Sequence, residues 1–75
     1  MKELVEFIAK SLVDNPEEVN VSEVEDDKNL ILKLKVAPHD MGKVIGKQGK
    51  IANAIRTVVK ASAVKQNKRV VVEII

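Results

Sequence analysis

The residues best suited to chemistry in this sequence sit together: Gly46-Lys47-Gln48-Gly49, with Lys43 and Lys50 within a turn on either side. A glycine at each end of a tight turn lets the backbone approach a ligand with no Cβ in the way. A helix that opens right after such a turn adds free N–H groups and the positive end of its dipole. Cations beside those groups favour an anion, and phosphate is the simplest. Three readings compete for the segment at this level. It could be a bare corner between two helices, with glycine supplying positive φ and the lysines solvated. A nucleotide-binding P-loop needs G-x-x-x-x-G-K followed by Ser or Thr. Gly42 and Gly46 have three residues between them and Gln48 offers no hydroxyl, so that reading is poor. The third reading is a clamp for a nucleic-acid backbone.

Other chemistry is thinly represented. There is no Cys, which excludes disulfides and thiolate metal sites, and Phe7 is the one aromatic residue, which argues against stacking bases on several rings. His39 is the single histidine and reads as a surface or capping group. Neither a Ser/His/Asp set nor a metal-spaced cluster accompanies it, so the expectation is a non-enzyme without cofactors. Met41 reads as packing. Glu25-Asp26-Asp27 reads as a solvated hairpin tip, with cation binding the lesser reading. The longest stretch free of charge, Ile51 to Ile55, is far short of the roughly 20 apolar residues of a membrane span. A soluble, cytoplasmic protein without membrane insertion is expected.

Charge is split along the chain. Residues 1–40 carry five Lys against ten Asp or Glu, a balance of −5; residues 41–75 carry eight Lys or Arg against Glu73, a balance of +7. The basic set is Lys43, Lys47, Lys50, Arg56, Lys60, Lys65, Lys68 and Arg69. Such asymmetry points to a polyanionic partner, or more plainly to an unevenly charged solvated surface.

The elements that must position the glycine segment follow from periodicity. Leu4, Val5, Ile8 and Leu12 recur at helical spacing over Lys2 to Leu12, and Asp14-Asn15-Pro16 ends that helix. Val19, Val21 and Val24 suggest a first strand. Leu30, Leu32, Leu34 and Val36 alternate with Ile31, Lys33 and Lys35, giving a second strand covered on one face. Asp40 is placed to cap a short helix through Ile45. A longer helix follows from Lys50 to about Lys65, with Ile51, Ile55, Val58 and Val59 inward and Ser62 next on the stripe. After a loop at Gln66-Asn67-Lys68, Arg69 to Ile75 forms a β-branched closing strand, with Val70, Val72 and Ile74 toward the core. The prediction is one α+β domain over residues 1–75, order α-β-β-α-α-β, a three-stranded sheet with helices packed on one face.

With that order, Val44-Ile45-Gly46-Lys47-Gln48-Gly49 followed by Ile51 and Ile55 resembles the K-homology (KH) signature. KH domains clamp about four nucleotides of single-stranded RNA or DNA with a G-x-x-G loop. The arrangement is similar to the type II, bacterial form. Almost end to end, including Asp14-Asn15-Pro16-Glu17-Glu18-Val19, the chain resembles the small single-domain bacterial KhpA family of RNA-binding proteins. The resemblance implies a dimer, with itself or with a larger KH-containing partner of the KhpB type, and work as an RNA chaperone or post-transcriptional regulator. Carried over by position, it implies RNA contacts at Gly42, Lys43, Ile45, Gly46, Lys47, Gln48, Gly49, Lys50, Lys68 and Arg69, with Val70 to Val72 and Lys65 on the opposite wall. One residue departs from the KH pattern: Ala52 stands where a large aliphatic is usual, which bears on the depth of the groove. The alternative is a KH fold used mainly for protein–protein assembly, with incidental RNA contact.

Overall fold

The computed structural model describes residues 1–64 and 67–75. Helix α1 (Lys2–Leu12) is followed by β1 (Asn20–Glu25), β2 (Asn29–Lys35), α2 (Met41–Ile45), α3 (Lys50–Ser62) and β3 (Arg69–Ile74). Short 3-10 turns at Pro16–Glu18, Pro38–Asp40 and Lys47–Gly49 connect them. The sheet order is β1-β2-β3, antiparallel between β1 and β2 and parallel between β2 and β3. Parallel neighbours need a crossover, and α2 with α3 supplies it over one sheet face. The architecture is the α+β, KH-like arrangement expected from the sequence order.

Strand alternation decides which face is covered. Leu30, Leu32 and Leu34 of β2 are buried, as are Val21 of β1 and Val70 and Val72 of β3. Val5 and Ala9 of α1, Val44 of α2, and Ile55 and Val59 of α3 close over them in one cluster. Burying a side chain such as Leu32 stabilises the fold by about 1.5–3 kcal/mol, and a chain this small has few to lose. On the other face Val24 is opposite Ile31, and Ile31 opposite Val71, a row left uncovered by the helices.

Several expectations need correction. The buried centre of α1 is Val5 and Ala9, while Leu12 lies at its exposed flank. In β1 only Val21 is buried; Val24, three residues on, falls on the open face and is 53% exposed. Val58 does not face inward. At 100° per residue it lies about 60° from Ile55, on the side of α1, and is exposed. Ser62 is also exposed, and the buried stripe runs instead through Ile55, Val59 and Ala63. Helix α3 ends at Ser62, where the Ala63 N–H reaches back to the carbonyls of Val59 and Lys60. Lys65 and Gln66 lie outside the described residues.

Candidate nucleic-acid interface

The site is built around the short helix α2, and its two ends are made differently. At the start, Asp40 occupies the expected cap position, yet its side chain makes no capping bond. The carboxylate is fully buried, and its two oxygens accept the backbone N–H groups of Asp14 (3.1 Å) and Asn15 (3.0 Å). Burial pushes the Asp40 carboxyl up, but those two N–H donors, with His39 and Lys43 nearby, outweigh it and hold the group below its ordinary value. The exit of α1 is thereby fastened to the start of α2. Around this anchor the Lys43 ammonium pairs with the Asp14 carboxylate and lies 3.6 Å from Asp40 Oδ1. Chiefly through the hydrogen bond to Asp14, Lys43 is pushed above its ordinary value. His39 Nε2 is 2.5 Å from Asn15 Oδ1, the surface role expected of it.

At the end of α2 the chain turns outward. Gly46 has φ 76° and ψ 173°, Gln48 has φ 58°, and Gly49 has φ 74°. A Cβ on Gly46 would lie 2.6 Å from Ile51 Cγ1, so this glycine is required by backbone angle and by space. Gly49 needs only its left-handed angle. The turn is closed by Gly46 N–H to Gly42 O and Gly49 N–H to Gly46 O, and none of the described hydrogen bonds engages the N–H of Lys47 or Gln48. Both side chains are exposed, and Ile45 beside them is 37% exposed. On α2, no other part of the described residues comes within 4 Å of where a Cβ on Gly42 would stand, so that stretch of helix surface stays low.

From this corner α3 runs back along β3. A cleft of about 420 Å³ lies between them, lined by Arg56, Lys60, Arg69 and the strand residues Val70, Val71 and Val72. β3 is an edge strand. The N–H groups of Arg69 and Ile75 bond to Lys28 and Leu34 on the β2 side, so by alternation the polar groups of Val70, Val72 and Ile74 point out of the free edge. Their side chains go to the core, as expected; their backbones face the cleft. Arg56 confirms the sense of this edge, since its Nε donates to Val72 O at 3.3 Å and its Nη1 to Asn53 Oδ1 at 3.2 Å.

Of the residues singled out in the sequence, Gly42, Ile45 and Gly46 to Gly49 form one corner, and Arg69 lines the cleft that leads from it. Three others are turned elsewhere. Lys43 is held by Asp14, Lys68 is paired with Glu25 at the end of β1, and Lys50 borders an apolar groove between α1 and α3. Ala52 is buried. Arg56 and Lys60 were not assigned to the site from sequence. The signal was present, because Asn53, Arg56 and Lys60 are spaced i, i+3, i+7 and so share a helix face.

The groove between α1 and α3 has a different character. Ile8, Leu12, Ile51, Ala54, Ile55 and Val58 line about 430 Å³ of almost wholly apolar surface. No helix of the described residues is long and apolar enough to cross a membrane.

Comparison with known proteins agrees with this geometry. The family model described as the KH domain of KhpA/KhpB matches residues 2–74. The chain is 75% identical to the RNA-binding protein KhpA of Clostridium acetobutylicum and 73% identical to that of Clostridium perfringens, in both cases over the full length of both chains. It is 51% identical to the RNA-binding protein KhpA of Aquifex aeolicus, over all of this chain and 95% of that one. No solved structure matched. A G-x-x-G turn between two helices, a crossover onto a parallel edge strand and an end-to-end family match agree: the chain belongs to the KhpA/KhpB family of KH domains.

Proposed function

We propose that this protein binds single-stranded RNA, without catalysis, in the trough that starts at the Gly46–Gly49 turn and continues between α3 and the free edge of β3. The observation that carries this reading is the turn itself: two glycines bracket exposed Lys47 and Gln48, whose N–H groups have no described internal acceptor. Phosphate oxygens are the natural acceptors there. Lys47 and Gln48 add a charge and an amide, and Gly42 with Ile45 leaves a low, partly apolar wall for a base. Arg69, Arg56 and Lys60 continue the positive potential along the cleft. The outward backbone groups of Val70 and the N–H of Val72 then read base edges, because no aromatic side chain lines the cleft. The curated relatives, named as RNA-binding proteins, support the same ligand.

About three phosphates neutralised on a single strand give a salt slope near −2, so one groove binds weakly and with slight sequence preference. Association offsets this, since joining two grooves gains roughly 10² to 10⁴ in avidity. The apolar α1–α3 groove favours such association, with a second copy or with the larger KhpB-type partner whose name the family model shares. A cytoplasmic RNA chaperone or post-transcriptional regulator is the role that suits a weak, unselective, multivalent binder.

The test is Lys47→Asp combined with Gln48→Asp. Loss of detectable RNA binding, with melting temperature and oligomeric state kept, is the expected result; binding equal to that of the parent would falsify the reading. Val58→Glu separates association from binding: it lowers the oligomeric state in sedimentation and leaves the single-groove affinity for a short RNA intact.

A further inference from the structure

The charge is split along the chain, but the fold brings some of the acids of the first half onto bases of the second. Asp14, in the acidic half, contacts the ammonium of Lys43, one turn before Gly46 on α2. Its backbone is tied down, because the Asp14 and Asn15 N–H groups are both held by the buried Asp40 carboxylate. Lys43 is drawn toward the same anchor, 3.6 Å from Asp40 Oδ1. The backbone that carries Asp14 is therefore held, and its exposed carboxylate starts within reach of the lysine. A phosphate approaching the start of the trough meets an ammonium that already has an anionic partner, and must displace that partner or do without the charge.

We infer that Asp14 is an internal counter-ion that withholds Lys43 from the RNA backbone, setting the affinity and the salt dependence of the trough below what its lysine count implies. The inference rests on the glycine-turn reading above and deepens it. Asp14 is a positioning residue here: it acts through Lys43 and does not touch RNA.

The experiment titrates a fluorescein-labelled, unstructured single-stranded RNA with the full chain across a series of salt concentrations. Asp14→Asn keeps the backbone N–H that Asp40 holds and removes the competing charge. Binding is expected to tighten by about two- to fivefold at low salt, the range of an exposed ion pair. The slope of log affinity against log salt should steepen by about 0.7, the contribution of one further phosphate on a single strand. Asp14→Ser should reproduce both changes with a different side chain. In a Lys43→Gln background the same Asp14→Asn change should produce neither. Glu17→Gln removes an equal charge from the next turn without touching Lys43, and should leave the slope unaltered. Three outcomes overturn the proposal: no gain in either Asp14 variant, a gain that persists without Lys43, or an equal gain from Glu17→Gln. The Lys47→Asp, Gln48→Asp protein, measured alongside, keeps the two ideas apart. If it loses RNA while Asp14→Asn gains nothing, the counter-ion fails alone. If it retains RNA, the glycine turn fails, and the Asp14 series still decides the counter-ion by its dependence on Lys43.

Discussion

Before α2, the buried Asp40 carboxylate has each oxygen answered by an N–H of the α1 exit. After α2, the Gly46–Gly49 turn carries two exposed side chains, and the N–H groups of Lys47 and Gln48 have no described internal acceptor. The helix between them is five residues long and too short to be stable by itself. The difference teaches how a 75-residue chain can keep donors available for a ligand. One end of the element is made rigid by a fully satisfied polar node, and the other end can then hold a strained, open backbone.

The contrast can be broken first at Gly46. Gly46→Ala introduces a Cβ against Ile51 at a backbone angle that other residues avoid. The expected loss is about 2–4 kcal/mol of stability, read from urea unfolding, together with RNA binding. Gly49→Ala meets no neighbour and suffers only from its left-handed angle, so about 1–2 kcal/mol is expected from the same measurement. Gly42→Ala sharpens the comparison by reversing the sign. It is helical with open space around it, so stability should rise by about 0.5–1 kcal/mol while RNA affinity falls, because the new methyl stands on the trough wall.

Acidification has the smallest effect near neutral pH. Folding lowers the Asp40 carboxyl below its ordinary 3.8, so its contribution to stability is complete above that value and is lost as pH falls through the lower, folded one. Unfolding midpoints should be insensitive to this group from pH 7 to about 4 and decline below, and Asp40→Asn should flatten that decline. Some acid dependence will remain in the variant. Glu17 is lowered by the Asn15 amide, and Asp26 by the N–H groups of Lys28 and Asn29.

How much of this was legible in the sequence depends on the range of the interaction. Helix α1, the alternation of β2 and the glycine turn are local patterns, and each was readable from neighbours a few residues away. The inward side of β3 followed from period two alone. What failed was long-range. Val58 looked like core because it is apolar and near the stripe, but the side it joins is decided by where α1 packs. Asp40 had the composition of a helix cap, and only the folded chain brings Asp14 and Asn15 to it, across more than 20 residues. The ion pairs of Lys43 and Lys68 were hidden for the same reason: their partners, Asp14 and Glu25, are distant in sequence and adjacent in space. The cleft lined by Arg56 and Lys60 was not readable, because a helix face can be read from spacing, whereas the strand edge opposite it cannot.

The most direct test of the central claim is amide chemical-shift mapping of the intact protein during titration with a short unstructured RNA. The account predicts the largest changes at the N–H groups of Lys47, Gln48 and Gly49, followed by Val70 and Val72, with the open sheet face around Val24 and Ile31 silent. Changes concentrated on that open face or in the α1–α3 groove, with the glycine turn unmoved, would contradict it.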